Sequence, residues 1–179
     1  ATAQGVQARA RLEILNHSIT LRHPISTAKL GHIYRQLGHA KVLCTQENTA
    51  LAEITYACDP VPLNSVLLPF EPVPVPLVLV PDPTDRCDAP NGKPTGYLTY
   101  ARDEMIEIGT NQLVMLDLSL ADGAYPGQFA TVYRDNPVEG MPRLVLGELG
   151  LLTVHDGWAT GKITNGWGPL RVGDHVELK

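Results

Sequence analysis

The feature that most constrains the fold is internal: residues 37–70 and 146–179 align without a gap. The first stretch reads LGHAKVLCTQENTALAEITYACDPVPLNSVLLPF and the second LGELGLLTVHDGWATGKITNGWGPLRVGDHVELK. Seven of the 34 positions are identical: Leu37/Leu146, Gly38/Gly147, Leu43/Leu152, Ala50/Ala159, Ile54/Ile163, Thr55/Thr164 and Pro60/Pro169. The order of residue types says more than the identities. Each copy has an apolar run (Val42-Leu43; Leu151-Leu152), then a polar turn (Glu47-Asn48; Asp156-Gly157), then an alternating strand. In that strand Ala50, Ala52, Ile54 and Tyr56 share one face, as do Ala159, Gly161 and Ile163. Asp-Gly is a strong hairpin signal, with both turn residues expected at positive φ, a conformation that Asn48 also tolerates. Upstream, Ile33-Tyr34-Arg35 mirrors Val132-Tyr133-Arg134, which leaves Asp135 to Val145 as an insertion in the second copy. The chain reads as a duplicated β-unit.

Turn residues divide the rest of the 179-residue chain. It holds 16 glycines and 15 prolines, and eight of the prolines fall between Pro60 and Pro83. Proline lacks an N–H and biases its predecessor away from helix, so this run reads as an extended connector. The boundaries that follow are an N-terminal arm (1–7), a first β-unit (8–70), a proline-rich linker (71–94) and a second β-unit (95–179). Strands are expected at Arg9–Leu15, Ile19–Arg22, Leu30–Tyr34, Ala40–Thr45 and Ala50–Tyr56 in the first unit. In the second they are expected at Tyr97–Tyr100, Met105–Ile108, Leu113–Leu118, Gln128–Tyr133, Leu149–Val154, Ala159–Thr164 and Val176–Leu178. Short strands at this spacing describe small barrels or sandwiches. The one helical candidate is a single turn at Ala101–Glu104.

Charge removes several function classes. The chain carries 14 Lys+Arg against 19 Asp+Glu, a formal charge of -5, without a basic cluster. Nucleic acid and anionic membrane surfaces are therefore poor partners. The longest apolar stretch, Val73–Pro81, is broken by prolines and far short of the ~20 residues a spanning helix needs.

No catalytic or metal-binding pattern emerges, so no catalytic residue, cofactor or metal ligand is assigned. None of the four serines lies in a GxSxG elbow, and the six histidines are scattered without HxxxH or HExxH spacing. The loop Asp82-Pro-Thr-Asp85-Arg-Cys-Asp88 lacks the close oxygen ligands and glycine of a calcium loop. Three cysteines cannot close a full disulfide framework. In the hairpin Cys44 faces Leu51, away from Cys58, while Cys87 on the connector can reach Cys58. Cys58–Cys87 is thus the preferred pair, with three reduced thiols as the other reading. The small-residue start Ala1-Thr2-Ala3 suits signal-peptide cleavage, which gives the expectation of an exported protein.

The second unit resembles a known family. Gly96-Tyr-Leu-Thr-Tyr100, Ile108-Gly109, Leu116-Asp-Leu-Ser119, Asp122-Gly123 with Pro126-Gly127, Thr131-Val-Tyr-Arg134, Pro142 to Glu148 and Val172-Gly-Asp-His-Val176 carry the resemblance. They are similar to a bacterial cell-envelope β-module found behind LysM domains, and to the C-terminal domain of flagellar assembly protein T. The likeness covers residues 95–179 well and 8–70 more loosely. It implies SH3-like barrels, a periplasmic or cell-envelope address and a binding or structural role without catalysis. The chain has no LysM segment, so direct peptidoglycan binding does not carry over.

The resulting expectation is an all-β, non-catalytic exported protein of two SH3-like barrels, docking as an accessory subunit on a larger envelope or membrane-protein complex. Two other readings stand beside it. One is a cell-wall glycan (peptidoglycan) module using Trp158 and Trp167 as a platform. The other, with no motif in its favour, is a hydrolase on a β scaffold. Partner contact is expected at Trp158 and Trp167, and on the loop that begins Asp135, Asn136, Pro137 and Val138.

Overall fold

The computed structural model describes residues 6–16, 19–78 and 85–179. Most of the N-terminal arm, His17-Ser18 of the expected first turn and part of the proline run lie outside the described residues. Alternating apolar residues give an all-β chain: β1 (Arg11–Leu15), β2 (Ile19–Arg22), β3 (Lys29–Ile33), β4 (Gln36–Thr45), β5 (Ala50–Ala57) and β6 (Val66–Pro69), then β7 (Thr95–Ala101), β8 (Leu113–Leu116), β9 (Phe129–Arg134), β10 (Leu144–His155), β11 (Trp158–Gly166) and β12 (His175–Leu178). Single 3-10 turns occupy Arg102–Glu104 and Leu120–Asp122. The first of these turns falls at the one helical candidate, Ala101–Glu104, whereas the strand expected at Met105–Ile108 is absent, its place taken by a bend and one bridge, Ile108 to Leu170. β6 is a strand that alternation did not reveal.

The chain divides into two compact units. One comprises Ala1–Arg22 and Lys29–Pro72, the other His23–Ala28 and Val73–Lys179. The second unit thus includes the six residues between β2 and β3, and most of the segment expected to be a linker. Its strands close into a barrel in the order β10-β11-β8-β7-β12-β9. Leu98, Leu116, Leu149, Ile163, Leu170 and Val176 are completely buried inside it. Each such side chain is worth about 1.5–3 kcal/mol of transfer free energy.

The first unit is not a closed barrel. Among the described residues its main sheet is open and four-stranded, β5-β4-β1-β6, while β2 and β3 pair only with each other. Its core is small, with Ile14, Leu37 and Ala40 packed by Val61 and Leu67.

Strand for strand, the open sheet matches four strands of the barrel in register. β4 pairs β5 through Gly38↔Ala57, Ala40↔Ile54, Val42↔Ala52 and Cys44↔Leu51, with bulges after His39 and Val42. β10 pairs β11 through Gly147↔Gly166, Leu149↔Ile163, Leu151↔Gly161 and Thr153↔Thr160, with bulges after Glu148 and Leu151. Adding 109 to each residue of the first hairpin gives its counterpart in the second. Local contacts repeat with the register. Thr55 Oγ1 donates to the His39 carbonyl at 3.2 Å, and Thr164 Oγ1 to the Glu148 carbonyl at 3.1 Å. Cys58 N–H donates to Leu37 as Trp167 N–H does to Leu146. Gly38 and Gly147 explain their own identity, because a Cβ would lie 2.1 Å from the Tyr56 oxygen in one and 2.6 Å from the Asn165 oxygen in the other.

The upstream part of the repeat differs from expectation. β1, not the end of β3, is the counterpart of β9. β1 pairs β4 through Leu12↔Ala40 and Ile14↔Gly38, and β9 pairs β10 through Ala130↔Leu149 and Val132↔Gly147. On their other edges, Ile14 pairs Leu67 and Val132 pairs Val176. The turns differ as well. Gly157 alone has positive φ in the Asp156-Gly157 turn, and Asn48 does not adopt it. The β4–β5 turn is closed instead by the Gln46 N–H on the Thr49 carbonyl at 2.7 Å.

Candidate interaction surface

The outer edge of β5 is the most unusual surface of the first unit. All eight of its residues are exposed. Ala50, Ala52 and Ile54 share a face with Leu12, Val42 and Leu67 and line an apolar groove of about 500 Å³. Leu51 is 61% and Ile54 52% exposed, whereas Ile163, the counterpart of Ile54, is 0% exposed. Among the described residues nothing pairs with the free edges of β5 and β6. In the barrel the same edges are covered by β8 on β11 and β7 on β12.

Within the second unit, the barrel is locked by polar contacts that sequence reasoning missed. Glu177 and Arg143 form a buried ion pair, with Nη1 and Oε2 2.6 Å apart. The same Glu177 accepts the N–H groups of Asn91 (2.9 Å) and Gly92 (3.3 Å). Arg143 reaches the carbonyls of Asp88 and Ala89 through Nε and Nη2, at 3.1 and 3.0 Å. One ion pair therefore fastens the end of the proline-rich segment to the barrel. The guanidinium also stacks 4.4 Å over the Tyr133 ring. Burial raises the Tyr133 hydroxyl above its ordinary value of 10.0, against the lowering effect of Arg143.

A second lock holds the segment between β2 and β3 within the same unit. His23 Nδ1 accepts the N–H groups of Ile25 and Ser26, both at 3.1 Å, so the ring proton sits on Nε2. That Nε2–H donates to Asp117 Oδ2 at 2.9 Å, and Asp117 Oδ1 accepts the Tyr97 N–H at 2.5 Å. His23 meets Tyr97 edge-on, Tyr97 contacts His175, and His175 stacks on Tyr133. Arg134 grips Asp174 in bidentate fashion, at 2.7 and 2.9 Å, which raises the arginine still further.

The residues expected at a partner contact are scattered over the second unit. Trp158 opens β11, stacked on His155 at 4.1 Å and 37% exposed. Half-buried Trp167 follows the other end of that strand. Eight residues of β11 lie between them, roughly 30 Å of extended chain, so they do not form one aromatic platform. The loop after β9 is braced by itself: Asn136 Oδ1 accepts the Val138 N–H at 3.1 Å and its Nδ2 donates to Pro142 at 3.2 Å. Asp135 pairs with His175 at 3.3 Å, while Val138 and Met141 are exposed. Pro137 sits between Asn136 and Val138, within that brace.

Cys44, Cys58 and Cys87 are free, exposed thiols. The Cys58 thiol is engaged by backbone, donating to the Leu37 carbonyl at 3.2 Å. Cys58 belongs to the first unit and Cys87 to the second. Among the described residues no three His, Cys, Asp or Glu side chains gather as a metal site would require, and no helix is long and apolar enough to cross a membrane. No known protein family matches the sequence, and no curated protein does.

Proposed function

We propose that this chain is a non-catalytic, exported interaction protein that docks as an accessory subunit on a larger envelope or membrane-protein complex. The observation that carries the reading is the uncovered β5 edge with its apolar groove. Natural monomers blunt such edges with lysine, proline, bulges or a covering element. β5 carries a single charge, Glu53, neither lysine nor proline, and its own bulge falls at Thr55, beyond the Ala50–Glu53 stretch.

The finer architecture belongs to the same proposal: two SH3-like units descended from one duplicated module, the first left open and the second closed. Matching register, matching bulges and the shared positive φ of Asn64 and Gly173 support common descent. The periplasmic address rests on the sequence resemblance to the module behind LysM domains and to the C-terminal domain of flagellar assembly protein T. In an oxidising compartment Cys58 and Cys87 are the pair proposed to bridge.

Native purification from membranes without crosslinking tests the docking role. The chain is expected to co-migrate with a large complex. A monodisperse species at 19.4 kDa, with nothing bound in any fraction, would contradict it.

A further inference from the structure

The second unit holds, in its own barrel, a template for what covers the first. β8 pairs β11 through Leu116↔Ala159, Met115↔Thr160, Val114↔Gly161 and Leu113↔Lys162. β7 pairs β12 through Tyr97↔His175, Gly96↔Val176 and Thr95↔Glu177. β7 and β8 also pair with each other, antiparallel. The edges they cover correspond to Ala50–Glu53 of β5 and Val66–Leu68 of β6, and β7 and β8 have no counterpart among the described residues of the first unit.

We propose that the first unit is completed by a β-hairpin of a partner protein, one strand antiparallel to β5 along Ala50–Glu53 and the other antiparallel to β6 along Val66–Leu68. The inference rests on the interaction-protein reading and names the site and chemistry of the contact. A hairpin is required because both edges must be bridged at once. A second copy of this chain offers its β5 edge to β5, but that pairing leaves β6 and the groove open. The main-chain groups of β5 supply affinity, as in strand addition generally. The groove supplies specificity, since it takes alternate side chains of the incoming strands. In the barrel those positions are filled by Leu98, Val114 and Leu116, all buried. The partner hairpin therefore carries apolar residues of leucine and valine size at alternate positions. Pro69, at the end of β6, cannot donate to an incoming strand, so the β5 edge makes most of the ladder.

The probe is a synthetic peptide of this chain's own residues 94–118, which spans β7 and β8. It is added to the full chain while amide hydrogen exchange and sedimentation are followed. The chain alone is expected to be a monomer with fast exchange at the β5 edge. Peptide is expected to slow exchange at 50–53 and 66–68 at least tenfold. Ala52→Glu and Ile54→Glu, each on an exposed strand, are expected to abolish that protection while tryptophan fluorescence of the barrel stays unchanged. Three results would overturn the proposal: no protection by the peptide, a dimer whose β5 edge is already protected, or a monomer whose edge is already protected by its own chain. If the chain co-migrates with a complex that Ile54→Glu leaves intact, the hairpin site is wrong and the interaction reading stands. If the peptide protects the edge but no complex is found, the docking role alone fails.

Discussion

Ile54 and Ile163 are the same residue at the same register position, opposite Ala40 in one hairpin and Leu149 in the other. One is half exposed and the other sealed. The difference lies in what covers them, because two further strands close the barrel over Ile163 and none of the described strands covers Ile54. The pair gives a direct energetic prediction. Ile163→Ala should cost about 2–5 kcal/mol, as for a large-to-small change in a packed core, while Ile54→Ala should cost well under about 1 kcal/mol. Both tryptophans lie in the second unit, so their fluorescence in a urea titration reports the barrel. Ile163→Ala should lower its midpoint, and Ile54→Ala should leave it in place.

The Arg143–Glu177 pair should be the costliest polar contact to break from one side. Arg143→Met leaves Glu177 buried without its cation, and losing one partner of such a pair costs about 3–5 kcal/mol. Amides of Asn91 and Gly92, which Glu177 accepts, should then exchange faster. The double variant Arg143→Met, Glu177→Gln should be less destabilised than the sum of the two single changes, read from the same titration as a double-mutant cycle.

The His23 lock predicts a local loosening. His23→Ala removes the acceptor for two backbone N–H groups and the donor to Asp117. Exchange at Ile25 and Ser26 should rise at least tenfold, while amides of Leu149 and Ile163 in the barrel core should hold their rates. Equal acceleration in both places would mean that the residue supports the whole unit.

Alkaline pH should act through Tyr133. Burial holds its hydroxyl above the ordinary 10.0, so the folded state favours the neutral ring. That contribution is fully present below the unfolded value and is lost as pH rises through the higher folded value. The stability difference between the native chain and Tyr133→Phe should be flat from neutrality to about pH 9. At higher pH the native chain should lose stability faster than the variant, as measured by urea midpoints across that range.

How far the sequence reaches can be judged from particular elements. The hairpins β4–β5 and β10–β11 were legible because alternation, turn residues and seven identities repeat without a gap. The relation of β1 to β9 was hidden because not one of the paired residues is shared: Arg11, Leu12, Glu13, Ile14 and Leu15 stand where Phe129, Ala130, Thr131, Val132 and Tyr133 do. Only the pairing partners reveal it, and pairing is a long-range property. β6 was obscured by Pro69, which is tolerated at the end of an edge strand. Openness of the first unit was illegible for a different reason. β5 keeps the alternation of a half-buried strand, so its pattern predicts a covered face without saying what covers it. The Arg143–Glu177 lock leaves no periodic trace, since its members come from a loop and a terminal strand 34 residues apart.

One unit is a closed barrel, and the proposal is that the other is the same kind of sheet left open for a partner. Amide hydrogen exchange of the isolated full chain, comparing 50–53 of β5 with 159–162 of β11, tests it most directly. Matching residues should differ by at least two orders of magnitude, with the β5 edge exchanging near the rate of unprotected chain and β11 among the slowest. Equal, strong protection of both strands in a monomer would contradict the account.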